Sequence, residues 1–178
     1  MVSVGTRQYL SGRRIDVQAV ARELELSRAT IYRWFGSRDR LVGEVVARVS
    51  ERRLLVARER TRGRGAPALL RTFDRYNREL ADAPAFRAFL TQERDREHTL
   101  QILTSSDGIV QPRVVAQVEA LIRAEIEAGA YEPPIAPHAL AYSLVRMAQG
   151  FLYNDVALGR HSDVERLREV QGALLGIS

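Results

Sequence analysis

The residues best suited to specific chemistry lie between Asp16 and Arg38, in the stretch DVQAVARELELSRATIYRWFGSR. Within it Ser27 caps a short helix whose Ile31 and Phe35, four apart, form the inner side. Arg28, Ala29, Thr30, Tyr32, Arg33 and Trp34 fall on its outward side and first turn. That outward set suits a DNA major groove. Arginine can hold a guanine edge through two hydrogen bonds, and threonine, tyrosine and a helix N-terminus can hold phosphates. A small alanine lets the helix approach the bases.

Positioning this face requires a second helix across a tight turn. Asp16 is a good N-cap for one, and Val17, Val20, Ala21 and Leu24 recur at helical spacing, the small Ala21 permitting a close crossing. Glu25 and Leu26 form the turn, so the whole reads as a helix-turn-helix. Upstream, Ser3 to Gly12 makes a short first helix with Val4, Tyr9 and Leu10 inward. Arg13 and Arg14 then either meet a phosphate backbone or are simply solvated. Downstream, Ser37 caps a long helix to about Thr61, with Leu41, Val45, Val49 and Val56 as its inner stripe.

The segment SRATIYRWFGSRDRLV resembles the recognition-helix segment of the tetracycline-repressor (TetR) family, where an aromatic-x-aromatic helix end precedes a Ser-basic-acidic helix start. The resemblance is specific over residues 16–42. It implies that Arg28, Thr30, Tyr32, Arg33 and Trp34 touch DNA and that Arg38 makes a phosphate contact at the start of the fourth helix. It also implies a homodimer pairing through its last two helices and a regulatory domain with a ligand pocket. The chain departs from the family in two places: the segment before the motif is short, which would truncate the first helix, and Glu25 stands where glycine is usual. Either Glu25 takes a left-handed backbone angle or the turn differs locally. After Phe86 the sequence is loosely similar to the QsdR-type branch of the family.

A chain of 178 residues with 46% hydrophobic residues can bury a real core and is globular. All 27 basic residues are arginine, a composition bias first and a functional choice second. Their distribution is informative: residues 1–65 hold 15 Arg against 7 acids, net +8, and residues 66–178 hold 12 against 15, net −3. The positive field thus sits on the half with the motif. Without cysteine, disulfides, thiol catalysis and Cys-zinc sites are excluded. The opening MVSVGTRQYL lacks the long apolar core of a signal peptide, and no apolar run reaches the ~18 residues of a membrane span. A soluble, cytoplasmic protein is expected.

The remainder reads as helix throughout. Gly63, Gly65 and Pro67 interrupt the pattern, and from Pro67 onward Leu69, Phe73, Tyr76 and Leu80 form one stripe. Pro84 starts a helix with Phe86, Phe89 and Leu90, and Thr104 to Gly108 is a polar break. A longer helix follows with Val114, Val118, Leu121 and Ile126 inward and Arg123 four residues from Glu127; Gly129, Pro133 and Pro134 stop it. From His138 to about Gly159 the pattern is apolar nearly all round, Arg146 being the one charge between Ala139 and Asn154, so this helix must be covered on more than one side. Ser162 caps a last helix with Val164, Leu167, Val170 and Leu174 on one face. The expected fold is all-α with about nine helices. Residues 1–48 form the DNA-binding domain, the helix from residue 37 continues to about 62 as connector, and residues 49–178 form the regulatory and dimerisation domain.

A pocket in that second domain would draw on Phe73, Tyr76, Asn77, Phe86, Phe89, Tyr142, Arg146, Met147, Phe151 and Asn154, although the same aromatics equally describe ordinary core. Arg146 needs either a carboxylate, with Asp74, Glu93 and Asp155 as choices, or an anionic or carbonyl-bearing ligand. No enzyme motif stands out: His98, His138 and His161 have no partner at metal-ligand spacing, and neither a phosphate loop nor a nucleophile elbow occurs. No cofactor or metal is expected. The sequence therefore points to a ligand-responsive regulator, a repressor by preference, that binds a palindromic operator as a homodimer and is released by a small-molecule effector. The alternative is a basic module for an acidic protein or membrane surface. Against it, the arginines are interleaved with Thr, Tyr and Trp on a capped helix.

Overall fold

The structure, a computed structural model, describes residues 1–92, 96–155 and 160–177, without the side chains of Gln92, Arg96 and Asn154. Glu93 and the end of the helix expected to reach Gly159 lie outside the described residues. Among those described there are ten α-helices and no strand. They are α1 (Val2–Leu10), α2 (Val17–Glu23), α3 (Arg28–Phe35), α4 (Arg38–Glu59), α5 (Gly65–Ala81), α6 (Pro84–Gln92), α7 (Arg96–Thr104), α8 (Val110–Glu127), α9 (Pro137–Gln149) and α10 (Val164–Leu174). A five-residue π-helical turn, Gly150–Asn154, continues α9. The fold is all-α, as the periodicity predicts.

Two compact units divide the chain. The first comprises Met1–Val49 with Ala83–Pro112, the second Ser50–Asp82 with Arg113–Ser178. Compactness thus groups α6 and α7 with the N-terminal helices.

In the first unit, Val4, Tyr9, Val17, Val20, Ala21, Ile31, Leu41 and Val45 are buried. Burying a side chain such as Ile31, 1% exposed, contributes about 1.5–3 kcal/mol, which helps fix α3, where Phe35, expected on the inner side, is half-buried. Gly5 lets α1 cross α4 closely, since a Cβ there would lie 2.7 Å from Val45 Cγ2. The Tyr9 and Phe89 rings meet edge to face at 5.6 Å, joining α1 to α6. Leu10, expected inward, is 51% exposed. α1 ends there, and the stripe runs instead through Val4, Gly5, Gln8 and Tyr9.

In the second unit, α10 packs on α5 and α9. Leu69, Phe73, Tyr76 and Leu80 of α5 are buried as predicted. Elsewhere the inner faces are rotated. On α8 the buried positions are Val110, Gln111, Val115, Val118, Ile122 and Glu125, while Val114, Leu121 and Ile126 are half-buried. On α4 Leu54 and Ala57 are buried and Val56 is half-buried. Arg123 pairs with Glu119, one turn earlier and 2.5 Å away, and not with Glu127. Asp163, not Ser162, caps α10, accepting from the Arg166 N–H at 3.0 Å. No helix among the described residues is long and apolar enough to cross a membrane.

Candidate nucleic-acid interface and interior cavity

Two capped helices build the helix-turn-helix. Asp16 Oδ1 accepts from the Gln18 N–H at 2.8 Å, and Ser27 Oγ accepts from the Thr30 N–H at 3.1 Å. The turn between them carries Glu25 at φ 54°, the left-handed angle anticipated for a residue where glycine is usual. The Asp16 N–H donates to the buried Gln8 Oε1 at 3.0 Å, tying α2's start to α1.

This frame leaves Arg28, Ala29 and Arg33 exposed and Trp34 59% exposed, with Thr30 and Tyr32 half-buried. The Thr30 hydroxyl lies 2.9 Å from Ser27 Oγ, so it completes the cap. The Arg28 guanidinium sits over the Tyr32 ring, 5.9 Å from its centroid. Arg28 and Tyr32 line an open groove with Arg14, Ile15, Asp16, Val17, Gln18 and Arg38. Three arginines and the Asp16 carboxylate thus line the groove, with Arg38 also 3.8 Å from Asp39. Ser37 Oγ accepts from the Arg40 N–H at 3.2 Å at the start of α4, next to Arg38. Sequence reasoning assigned no partner to His98, whose Nε2 lies 3.0 Å from Asp39 Oδ2, linking α7 to the first turn of α4. The two lie 59 positions apart in sequence, which leaves no local signal.

A second feature lies within the second unit. A cavity of about 30 Å³ is lined by Leu54, Phe73, Tyr76, Asn77, Leu80, Val114, Val118, Leu144, Val145, Ala148, Gln149, Leu152, Tyr153 and Gln171. Asn77 Nδ2 donates to Gln171 Oε1 at 2.9 Å, and Gln171 Nε2 to the Leu144 carbonyl at 3.3 Å. Burial pushes the Tyr76 phenol up against the opposing pull of Ser50 and Arg53, so it is uncharged near neutrality.

Of the pocket residues expected from sequence, Phe73, Tyr76 and Asn77 line this cavity. Phe86 and Phe89 are buried in the first unit, Phe89 against Tyr9. Tyr142 and Met147 lie on the outer face of α9, 42% and 41% exposed. Phe151 is half-buried and is not part of the wall. Arg146 is also on the exposed face and donates to Gln149 Oε1 at 3.1 Å. Asp74 is held by Arg78 at 2.9 Å instead. The side chain of Asn154 lies outside the described residues. Among the described residues, the side of α9 with Leu140, Ala141, Leu144 and Val145 is buried and the side with Tyr142, Arg146 and Met147 is exposed. Tyr153 and Gln171 went unassigned, and the buried Asn77–Gln171 bond spans 94 residues.

A capped helix-turn-helix presenting an arginine-rich outer helix, on an all-α body, defines a DNA-binding regulator of transcription. Residues 64–176 match the family model described as "Tetracyclin repressor-like, C-terminal domain", and the chain belongs to the TetR family. Among solved structures it is similar to the R. erythropolis transcriptional repressor QsdR, with 27% identity, 99% of this chain and 93% of that chain covered, and a TM-score of 0.88. The TetR family transcriptional regulator PfmR from Thermus thermophilus is a distant likeness, with 19% identity, coverage of 99% and 94%, and a TM-score of 0.49. No curated protein matches the chain.

Proposed function

We propose that the protein is a ligand-responsive repressor that binds a palindromic operator as a homodimer and is released by a small-molecule effector. The exposed face of α3 beside the Arg14–Arg28–Arg38 groove carries this reading. Arg33, Ala29 and Trp34, outside the groove lining, read base edges. Arg28, Arg38, Tyr32 and the Thr30 turn hold the phosphate backbone. Repression is favoured by similarity to QsdR, itself described as a repressor.

Dimerisation uses α9 and α10. Ala139, Tyr142, Arg146, Met147 and Gly150 recur at three- and four-residue spacing on the exposed side of α9 and its continuation. A two-fold copy of the same face supplies the missing cover. The dimer presents two α3 helices to major grooves about 34–36 Å apart. Effector binding in the helical body disfavours that spacing, and α4, unbroken from Arg38 to Glu59, transmits the change. A coupling of about 1–3 kcal/mol suffices to alter occupancy roughly 5- to 150-fold.

Selection of binding sites from a random duplex library tests this. A palindromic consensus is expected, its half-site spacing reporting the distance between recognition helices. Lack of enrichment, together with binding to anionic vesicles, would overturn the reading in favour of a basic interaction module.

A further inference from the structure

Among the described residues, the wall of the interior cavity carries no Asp, Glu, Arg or His. Its polar groups are three primary amides, Asn77, Gln149 and Gln171, and two phenols, Tyr76 and Tyr153, set among aliphatic and aromatic side chains. The amides are 3%, 6% and 2% exposed, so the site is desolvated. Arg146 is exposed on α9 and lies outside the wall, its guanidinium donating to the wall's Gln149 Oε1 at 3.1 Å.

From this wall we infer that the effector is an electrically neutral, predominantly apolar small molecule carrying a carbonyl or amide-like group that both accepts from and donates to the Asn77–Gln149–Gln171 amides. The inference rests on the ligand-responsive reading above. A bound carboxylate or ammonium would lose its hydration without gaining a counter-charge, which disfavours both ions. Asn77 Nδ2, both ends of the Gln171 amide and Gln149 Oε1 already hold partners, so a neutral carbonyl or amide-like group enters by exchanging amide hydrogen bonds, at no charge cost. About 30 Å³ holds one water molecule, so the ligand must displace wall side chains. The π-helical turn supplies two of them, Leu152 and Tyr153. Such turns interrupt the regular hydrogen-bond ladder and recur at functional sites.

Hexanamide, hexanoate and hexylammonium share one chain length and differ in charge. Ligand-observed NMR titration of the full chain with each probe tests the class. Hexanamide is expected to bind at least about tenfold more tightly than either ion, and Ala148→Phe, which fills the cavity, to abolish its binding while the chain stays helical by circular dichroism. Asn77→Asp should reverse the preference toward hexylammonium. Equal or tighter binding of an ion to the unmodified chain, or no binding of hexanamide at millimolar concentration, would overturn the inference. Operator affinity read in the same samples separates the two claims. Hexanamide binding blocked by Ala148→Phe, with operator affinity unchanged, would uphold the ligand class and defeat ligand control. Operator release by an ion alone would do the opposite.

Discussion

The Glu125 carboxylate, 1% exposed, accepts from Arg58 Nη2 at 2.7 Å and from the Gly65 N–H at 2.8 Å, pinning the end of α4 and the start of α5 to α8. Arg64 approaches to 3.6 Å. Removing the carboxylate leaves the buried Gly65 N–H without its acceptor and a partly exposed Arg58 without its partner, so Glu125→Ala should destabilise the protein by about 1–3 kcal/mol, read as a fall in the urea midpoint at unchanged slope. If α4 carries the effector signal, Glu125→Gln should also weaken the effect of effector on operator affinity.

The same carboxylate makes stability pH-dependent. Burial alone would push it up, but the Gly65 N–H and Arg58 outweigh burial and hold it below its ordinary value. With the folded value lower than the unfolded one, its contribution is fully present above the unfolded carboxylate range and is lost as pH falls through the folded value. Wild-type protein should therefore lose stability on acidification more steeply than Glu125→Gln, as urea midpoints across the acid range would measure.

Backbone geometry makes a paired prediction. Glu25 sits at φ 54°, which costs a side-chain-bearing residue about 1 kcal/mol, so Glu25→Gly should be neutral or stabilising by up to roughly that amount. Gly65→Ala should be destabilising, because φ is 69° and a Cβ would lie 2.4 Å from the Ala130 carbonyl oxygen. Thermal unfolding of the two variants should shift in opposite directions, or the first should not shift.

On the DNA face the roles separate. Arg33→Ala should weaken binding to the selected operator while leaving random DNA little changed, at about 1–3 kcal/mol for a lost bidentate base contact. Arg38→Ala should weaken binding to all sequences and lower the salt slope by about one. Tyr32→Leu removes the ring under Arg28, an exposed cation–π contact of about 0.5–1 kcal/mol. Fluorescence anisotropy on both duplexes distinguishes the three.

The exposed face of α9 gives a further test. Tyr142→Arg and Met147→Glu each place a charge at the proposed two-fold contact and should raise the dimer dissociation constant about tenfold or more. Sedimentation across protein concentrations measures this.

Much of the fold was legible because helical period, caps and breakers are local signals. Asp16, Ser27 and Ser37 marked three helix starts correctly, and Pro84 a fourth. Inner faces were less secure where a polar residue occupies the stripe. Glu125 follows Val118 and Ile122 at helical spacing, and Gln8 follows Val4, so an inner polar residue was itself the signal of a buried hydrogen bond. The outer face of α3 could be read from sequence because its neighbours are a few residues away. The cavity could not: Asn77 meets Gln171 across 94 residues, and nothing local tells that Tyr142 and Arg146 point outward while Gln149 points in.

The most direct test of sequence-specific operator binding is a salt titration of the full chain on the selected duplex and on a scrambled duplex of equal length. Binding to the selected site should be tighter by about 10³-fold or more at physiological salt, with both affinities falling steeply as salt rises. Equal affinities at every salt concentration would contradict the account.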